Sequence, residues 1–516
     1  MDRRKMLATI GVVGASALLG KSLQGVQASS VTEMVYGTGP SQADEINYKY
    51  ATGLTERTVA ERLRDRVSVK DYGARGDDNT NDTAAINAAI AAVFGAGGGT
   101  VYVPKGTYLI DAVRPPGSGA GGVQLKSNVS LVLDQGAVFQ ALPNNQGTYM
   151  IISIFDCVRA SVIGGTLIGE RYTHTGTTGE WGMGIHIQRS QQVFVQGVNI
   201  RDCWGDGFYV RASSGTIVNC VCDNNRRQGM SIVSANNLYI NGCVFQNTNG
   251  ALPEAGVDIE PDNAADHVRH VVFENCQFLN NAGRGFAADI RNGTVCEHIQ
   301  LINCVSQGNI RHSAIVLTRG GATTRHIAFR GCRFDEVRFG VTASPEPIDY
   351  IVMDQVTCKL IEFCNVTHAV IANSFVLGGG VTFQGSSDVV VTRTTISDAP
   401  AHAFSFIPGI SKRITLDQLT IHQAVGSGIA AQLTTVQHLQ VTGCVIRDCG
   451  GSGLTGGGHD GAFTTNLIIN HALYGIDADP SIRSNLVTGN RVSGNGAGAV
   501  RGLTDPSHVI ANNIGF

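Results

Sequence analysis

From residue 182 onward the chain repeats a short figure: a glycine, then apolar residues alternating with polar or small ones. The segments GMGIHIQ (from 182), GDGFYVR (205), RQGMSIV (227), AGVDIEP (255) and RGFAADI (284) align on Gly184, Gly207, Gly229, Gly256 and Gly285, which are 23, 22, 27 and 29 residues apart. Weaker copies continue as GGVTFQG, GSGIAAQ, GSGLTGG and YGIDADP. Alternation with period two predicts short strands, and the Gly, Asn and Ser turns between them leave no room for helices. Such a unit cannot bury its own apolar face, whereas stacked copies share one core. The pattern therefore predicts an all-β fold, a parallel β-helix with equivalent positions about 4.8 Å apart. A propeller or sandwich would need antiparallel hairpins.

Two stretches fall outside the repeat. Ile86, Ile90, Val93 and Phe94 follow helical spacing behind Asp82, a candidate N-cap, so a short capping helix is expected over the open N-terminal end of the stack. At the start of the chain, Arg3 and Arg4 precede an apolar run from Met6 to Gly20 and then small residues ending in VQA. This reads as an export signal over residues 1–28, resembling the twin-arginine class, with cleavage near Ala28 and a periplasmic or extracellular destination. The run is too short to cross a bilayer comfortably, so no stable membrane insertion is expected; an uncleaved anchor is the competing reading. An extended segment, 29–66, and the β-helix with its cap, 67–516, complete the organisation.

Composition narrows the partners. Of 516 residues, 65 are glycine and only 6% aromatic, which suits a core of small and β-branched side chains. A net charge of -3 argues against a nucleic-acid binder. Thirteen cysteines are an odd number for a disulfide framework. Six of them, Cys220, Cys243, Cys276, Cys304, Cys332 and Cys358, recur with the repeat and predict a ladder of buried free thiols.

The run VSVKDYGARGDDNTNDTAAINAAI with the following GGGTVYVPKGTYLI resembles the N-terminal segment of the pectate lyase superfamily, specifically over residues 67–110. The resemblance implies a right-handed parallel β-helix acting on a polysaccharide. TVAERLRDR is similar to linkers before tailspike β-helices, and that likeness brings in a homotrimer. The family's hydrolase set (NTD, DD, GHG, RIK) and the epimerase motif DPHD are absent, and the GDG at 205–207 is too short to stand for them. Catalytic residues have to be read from position.

Ile185 and Ile187, Phe208 and Val210, Met230 and Ile232, Val257 and Ile259 point inward, so their neighbours face out. One outward column then holds His186, Tyr209, Ser231, Asp258 and Ala287, and a second holds Gln188, Arg211, Val233, Glu260 and Asp289. Asp258 and Glu260 share one face of a strand at roughly 6 to 7 Å, compatible with a glycosidase pair of either stereochemistry. Glu260 and Asp289 are expected on neighbouring rungs, where repulsion favours protonating one of them. Solvated surface acids or calcium ligands are the competing reading. Arg226, Arg227, Arg284, Arg311 and Arg338 are expected at one corner, as a stripe for acidic sugars or as ordinary charged corners. Asp477 and Asp479 repeat the acidic pattern far along the chain, a sign that it can recur without catalysis.

The expected function is an exported enzyme cleaving glycosidic bonds of an acidic polysaccharide. In the hydrolytic version Asp258, Glu260 and Asp289 share the acid and base roles; Arg227, Arg284, Arg311, Arg211 and Asp206 bind substrate; Trp204 and Tyr209 offer stacking; no cofactor is required. In a lyase or epimerase version Tyr209, His186 or an arginine is the base and the acids hold Ca²⁺. A third version only binds glycans. The metal requirement is left open.

Overall fold

The computed structural model describes residues 47–48, 55–63, 65–115, 119–342, 344, 346–431 and 436–516. The export signal expected over 1–28 lies outside the described residues, as does most of 29–66. The described residues up to Arg66 belong to a unit of their own. In it Asn47–Tyr48 pairs antiparallel with Arg57–Thr58, and the short helix Val59–Leu63 follows. Among the described residues no helix is long and apolar enough to cross a membrane.

Residues from Val67 onward are the expected solenoid. Each coil gives one strand to each of three parallel sheets. The sheet relevant to function, sheet I, has sixteen strands among the described residues, from Val123–Gln124 to Gly498–Arg501. Its register is the one the alternation implies: Ile185, Phe208, Met230, Val257 and Phe286 lie one above another inside. The repeating glycines have a steric cause. A Cβ on Gly229 would stand 2.4 Å from the carbonyl oxygen of Gly256, and one on Gly256 would stand 2.6 Å from that of Gly285. The core is also more aromatic than composition suggested, with Phe286, Phe329, Phe339, Phe363 and Phe383 in successive ring contact.

All thirteen cysteines are free and buried. Cys243, Cys276, Cys304 and Cys332 each donate a thiol to a carbonyl of the coil below, those of Ile217, Ile240, Phe273 and Leu301. Cys358 does not belong to this ladder. Arg333 is in register with Thr357, so Val356 takes the place above Cys332, and Cys358 sits two positions on, beside Val376.

The helix Thr83–Gly95 buries Ile86, Ala89, Ile90 and Val93 against the first coils. Phe94, expected on the same face, is exposed. Asn87 completes the edge of sheet I: its Nδ2 donates to the Gly122 carbonyl at 2.9 Å and its Oδ1 accepts from the Gln124 amide at 2.8 Å. A side-chain amide thus replaces the missing neighbouring strand. Asp82 holds the N-cap position but does not cap; its buried carboxylate accepts instead from the amides of Arg75 and Gly76 at 2.7 and 2.9 Å.

Candidate active site

The outward columns of sheet I are as the sequence implies. His186, Tyr209, Ser231, Asp258 and Ala287 are in register, and Gln188 lies beside Arg211. Where the columns pass the strands Asp206–Arg211, Gln228–Ile232 and Ala255–Ile259, polar side chains crowd together so closely that they bury one another.

Arg227 is the hub. Its Nη1 lies 3.2 Å from Asp206 Oδ2, its Nη2 donates to Glu260 Oε1 at 2.9 Å, and its Nε lies 3.5 Å from Glu180 Oε2. Burial works against its charge, yet the carboxylates of Asp206 and Glu260 outweigh it and hold the guanidinium above its ordinary pKa. Asp206 is fully buried; burial pushes its carboxyl up to about 6 while Arg227 pulls the other way. The Ser231 hydroxyl donates to Asp206 Oδ2 at 2.7 Å and also contacts Gln228 Oε1.

Asp258 is placed differently. It is 3% exposed, and its one hydrogen bond comes from Gln228 Nε2 to Oδ2 at 3.3 Å. Its Oδ1 is buried without a partner. Burial first, then the charge of Glu260, pushes its carboxyl well above the usual range. The same Gln228 nitrogen donates to Glu260 Oε1 at 3.1 Å. A single nitrogen thus bridges the two carboxyl groups.

Residues 66–287 match the family described as Rhamnogalacturonase A/epimerase, pectate lyase-like, and residues 364–514 match the right handed beta helix region. The fold is a right-handed β-helix, and its pectate lyase-like match is confined to residues 66–287. The SPbeta prophage-derived protein YorA of Bacillus subtilis is 32% identical over 227 residues, 38% of this chain and 38% of YorA. The chain therefore spans well under half the length of that relative. Mannuronan C5-epimerase AlgE2 of Azotobacter vinelandii is 51% identical over 65 residues, 13% of this chain and 6% of its own. A mutant tailspike protein of E. coli bacteriophage HK620, in complex with pentasaccharide, shares the fold with a TM-score of 0.52 at 15% identity, covering 92% of this chain and 83% of its own.

Several residues of the β-helix differ in place from expectation. Asp289 is ion-paired with Arg291 at 3.0 Å and with Arg319, while Glu260 is held by Arg227; the carboxyl that burial pushes well above the usual range is Asp258. Trp204 offers no stacking surface. The His174 ring lies parallel to it at 3.9 Å and the Arg226 guanidinium at 3.8 Å, and groups that close must take opposite faces. Asp206 is fully buried and held by Arg227, and Arg211 is paired with Asp266 at 3.2 Å.

The arginine stripe is likewise divided. Arg226 covers Trp204, and Arg227 holds the acids. Arg338 is within a strand, opposite Ile315, and lies 3.7 Å from Glu362. Arg284 and Arg311 line a common cavity. His186 is packed between the rings of Phe155 and Tyr209 at 4.6 and 4.7 Å. Burial drives it down to about 3 and Tyr209 up to about 12. Gln228 and Glu180 were missed. Gln228 was within reach, because the residue before each repeating glycine forms its own column, in which Asp206, Gln228 and Ala255 are in register. Glu180 precedes its strand and leaves no periodic signal.

Proposed function

We propose that the chain cleaves glycosidic bonds of a polysaccharide lying on the outer face of sheet I, by hydrolysis. Asp258 donates a proton to the leaving oxygen, and Glu260 supports the positive charge developing at the anomeric carbon. Water then supplies the hydroxyl to that carbon and the proton that restores Asp258. The observation that carries this reading is the contrast between two neighbouring acids: Glu260 is ion-paired to Arg227, whereas Asp258 is buried, meets no cation at bonding distance and has its carboxyl pushed well above the usual range. The proposal places the reaction outside the cytoplasm, on the strength of Arg3 and Arg4 before the apolar run.

A second reading, elimination or epimerisation on uronic acid residues, is favoured by the names of short matches such as mannuronan C5-epimerase AlgE2 and alginate lyase 7. The site supports it less well. At neutral pH a histidine near 3 is too weak a base and a tyrosine near 12 keeps its proton. Ca²⁺ fits poorly as well: among the described residues no group of three or more His, Cys, Asp or Glu side chains is arranged for a metal, and Arg227 already brings positive charge to Asp206, Glu260 and Glu180.

A panel of polysaccharides assayed for new reducing ends and for ultraviolet-absorbing unsaturated ends separates these readings. Reducing ends without absorbance are expected. Absorbing ends would assign elimination, and binding without either would leave only a glycan-binding surface.

A further inference from the structure

The middle rung of the acid cluster sets two polar side chains between two buried acids. Gln228 is in register with Asp206 on the rung below, and Ser231 with Asp258 on the rung above. All four are buried, Asp206, Gln228 and Ser231 completely. No water reaches such a place, so an acceptor without a donor is costly there.

Donors and acceptors do not match as they stand. The Ser231 hydroxyl has one hydrogen. Two acceptors lean on it, Asp206 Oδ2 at 2.7 Å and Gln228 Oε1. Arg227 Nη1 donates to the same hydroxyl oxygen at 3.3 Å, so that oxygen already serves as an acceptor. At the far end of the Gln228 amide, Nε2 serves two carboxyls at once, Asp258 Oδ2 at 3.3 Å and Glu260 Oε1 at 3.1 Å.

Two arrangements complete the count. In one, Asp206 carries a proton and donates it to Ser231, whose hydroxyl turns to Gln228 Oε1; the amide nitrogen then faces Asp258 and favours its carboxylate. In the other, Asp206 is ionised and keeps the Ser231 hydroxyl. The amide turns over, its nitrogen donates to Ser231 Oγ, and its oxygen accepts the proton of Asp258 Oδ2. Glu260 then loses one donor and keeps Arg227. Which acid holds the proton and which way the amide points are thus one variable.

The surroundings favour the second arrangement at neutral pH. Arg227 lies against Asp206, with Glu260 and Glu180 on its other nitrogens. The thiols of Cys203 and Cys222 and the Tyr209 phenol near Asp206 stay uncharged. The Asp206 carboxyl stands at about 6 and is ionised above that. Asp258, with Glu260, Arg227, Asp289 and Arg284 around it, is pushed well above the usual range, by burial first.

We propose that Gln228 is a two-position switch set by Asp206 through Ser231: an ionised Asp206 turns the amide oxygen to Asp258 and keeps the proton there, and a neutral Asp206 turns the nitrogen to it. Asp206, Ser231 and Gln228 are positioning residues that act through Asp258. Their part in cleavage rests on reading Asp258 as the proton donor.

The test follows the Asp258 proton without substrate. The denaturant midpoint of the full chain is measured from pH 4 upward with and without Asp258→Asn. The difference grows with pH and levels off once the folded Asp258 carboxyl has ionised. Asp206→Asn puts an amide in place of the neutral carboxyl, donates to Ser231 and holds the switch in its other position. The levelling is expected about one pH unit or more lower, the effect of one hydrogen bond to a charged group. Ser231→Ala disconnects the acid from the amide; it is expected to lower the levelling pH likewise and to leave Asp206→Asn no further shift of that size. Loss of the Asp206 charge also favours ionised Asp258 through space, and that effect survives Ser231→Ala. An equal shift from Asp206→Asn in both backgrounds, or an unmoved levelling pH in either single variant, would overturn the switch. Ser231→Ala removes one atom, so it decides the matter by itself where Asp206→Asn does not fold. Turnover enters nowhere in this measurement: a chain that cleaves nothing would remove the proposed role of Asp258, while the switch would still stand or fall by the levelling pH.

Discussion

Arg227 donates to Glu260 at 2.9 Å, while Asp258, two residues earlier, receives only the amide of Gln228 at 3.3 Å. One guanidinium thus separates two carboxyls that local sequence makes equivalent. It also neutralises Asp206, which no solvent reaches. Arg227→Met is expected to destabilise the chain by roughly 3–5 kcal/mol, the cost of leaving a buried charge without its partner. The denaturant midpoint measures this, and an unchanged midpoint would show that the pair is dispensable.

Asp258 gives stability a pH dependence with a definite sign. The folded chain keeps the Asp258 proton at pH values where the unfolded chain has released it. Stability contributed by the group is therefore present at acid pH and is lost as pH rises from the ordinary carboxyl range through the raised folded value. Asp258→Asn removes the penalty. The variant is expected to unfold at higher denaturant than the wild type at pH 8 and to converge with it toward pH 4; a variant that is less stable at both would contradict this.

His186 acts in the opposite direction. Burial lowers it from 6.5 to about 3, so the folded chain resists a proton that the unfolded chain accepts. Stability is full above 6.5 and declines as pH falls from there toward 3. His186→Phe, which keeps a ring between Phe155 and Tyr209, is expected to flatten that decline in thermal melts taken between pH 7 and 4. An unaltered slope would assign the acid sensitivity to other groups.

The thiol ladder was legible in the sequence because the repeat itself displays it, and the inward and outward columns followed from period two alone. What escaped is side-chain reach between coils and the contribution of irregular segments. Alternation places Asp289 above Glu260 but does not show that Arg291 and Arg319 reach back to it. Trp204 looks available until His174, from a stretch with no periodicity, covers one face. Cys358 fits the spacing of the ladder, yet the turn before it is two residues out of phase. Asp258 is outward by pattern and buried by its neighbours, and burial is the property that gives it chemistry.

The free thiols have a direct chemical consequence. All thirteen are buried, and burial raises most of them, Cys296 and Cys358 among them, beyond easy ionisation. The folded chain is expected to be inert to a thiol-specific disulfide reagent and to titrate thirteen thiols once denatured. Fast reaction of any thiol in the folded chain would mean that the stack opens there.

The central claim is that Asp258 donates the proton in glycosidic cleavage. It is tested most directly by turnover of Asp258→Asn on the polysaccharide that the wild type cleaves fastest, with binding measured in parallel. Loss of a general acid lowers the rate by about a hundredfold or more. The expected result is a loss of that size with affinity held within a few-fold; turnover near the wild-type rate would contradict it.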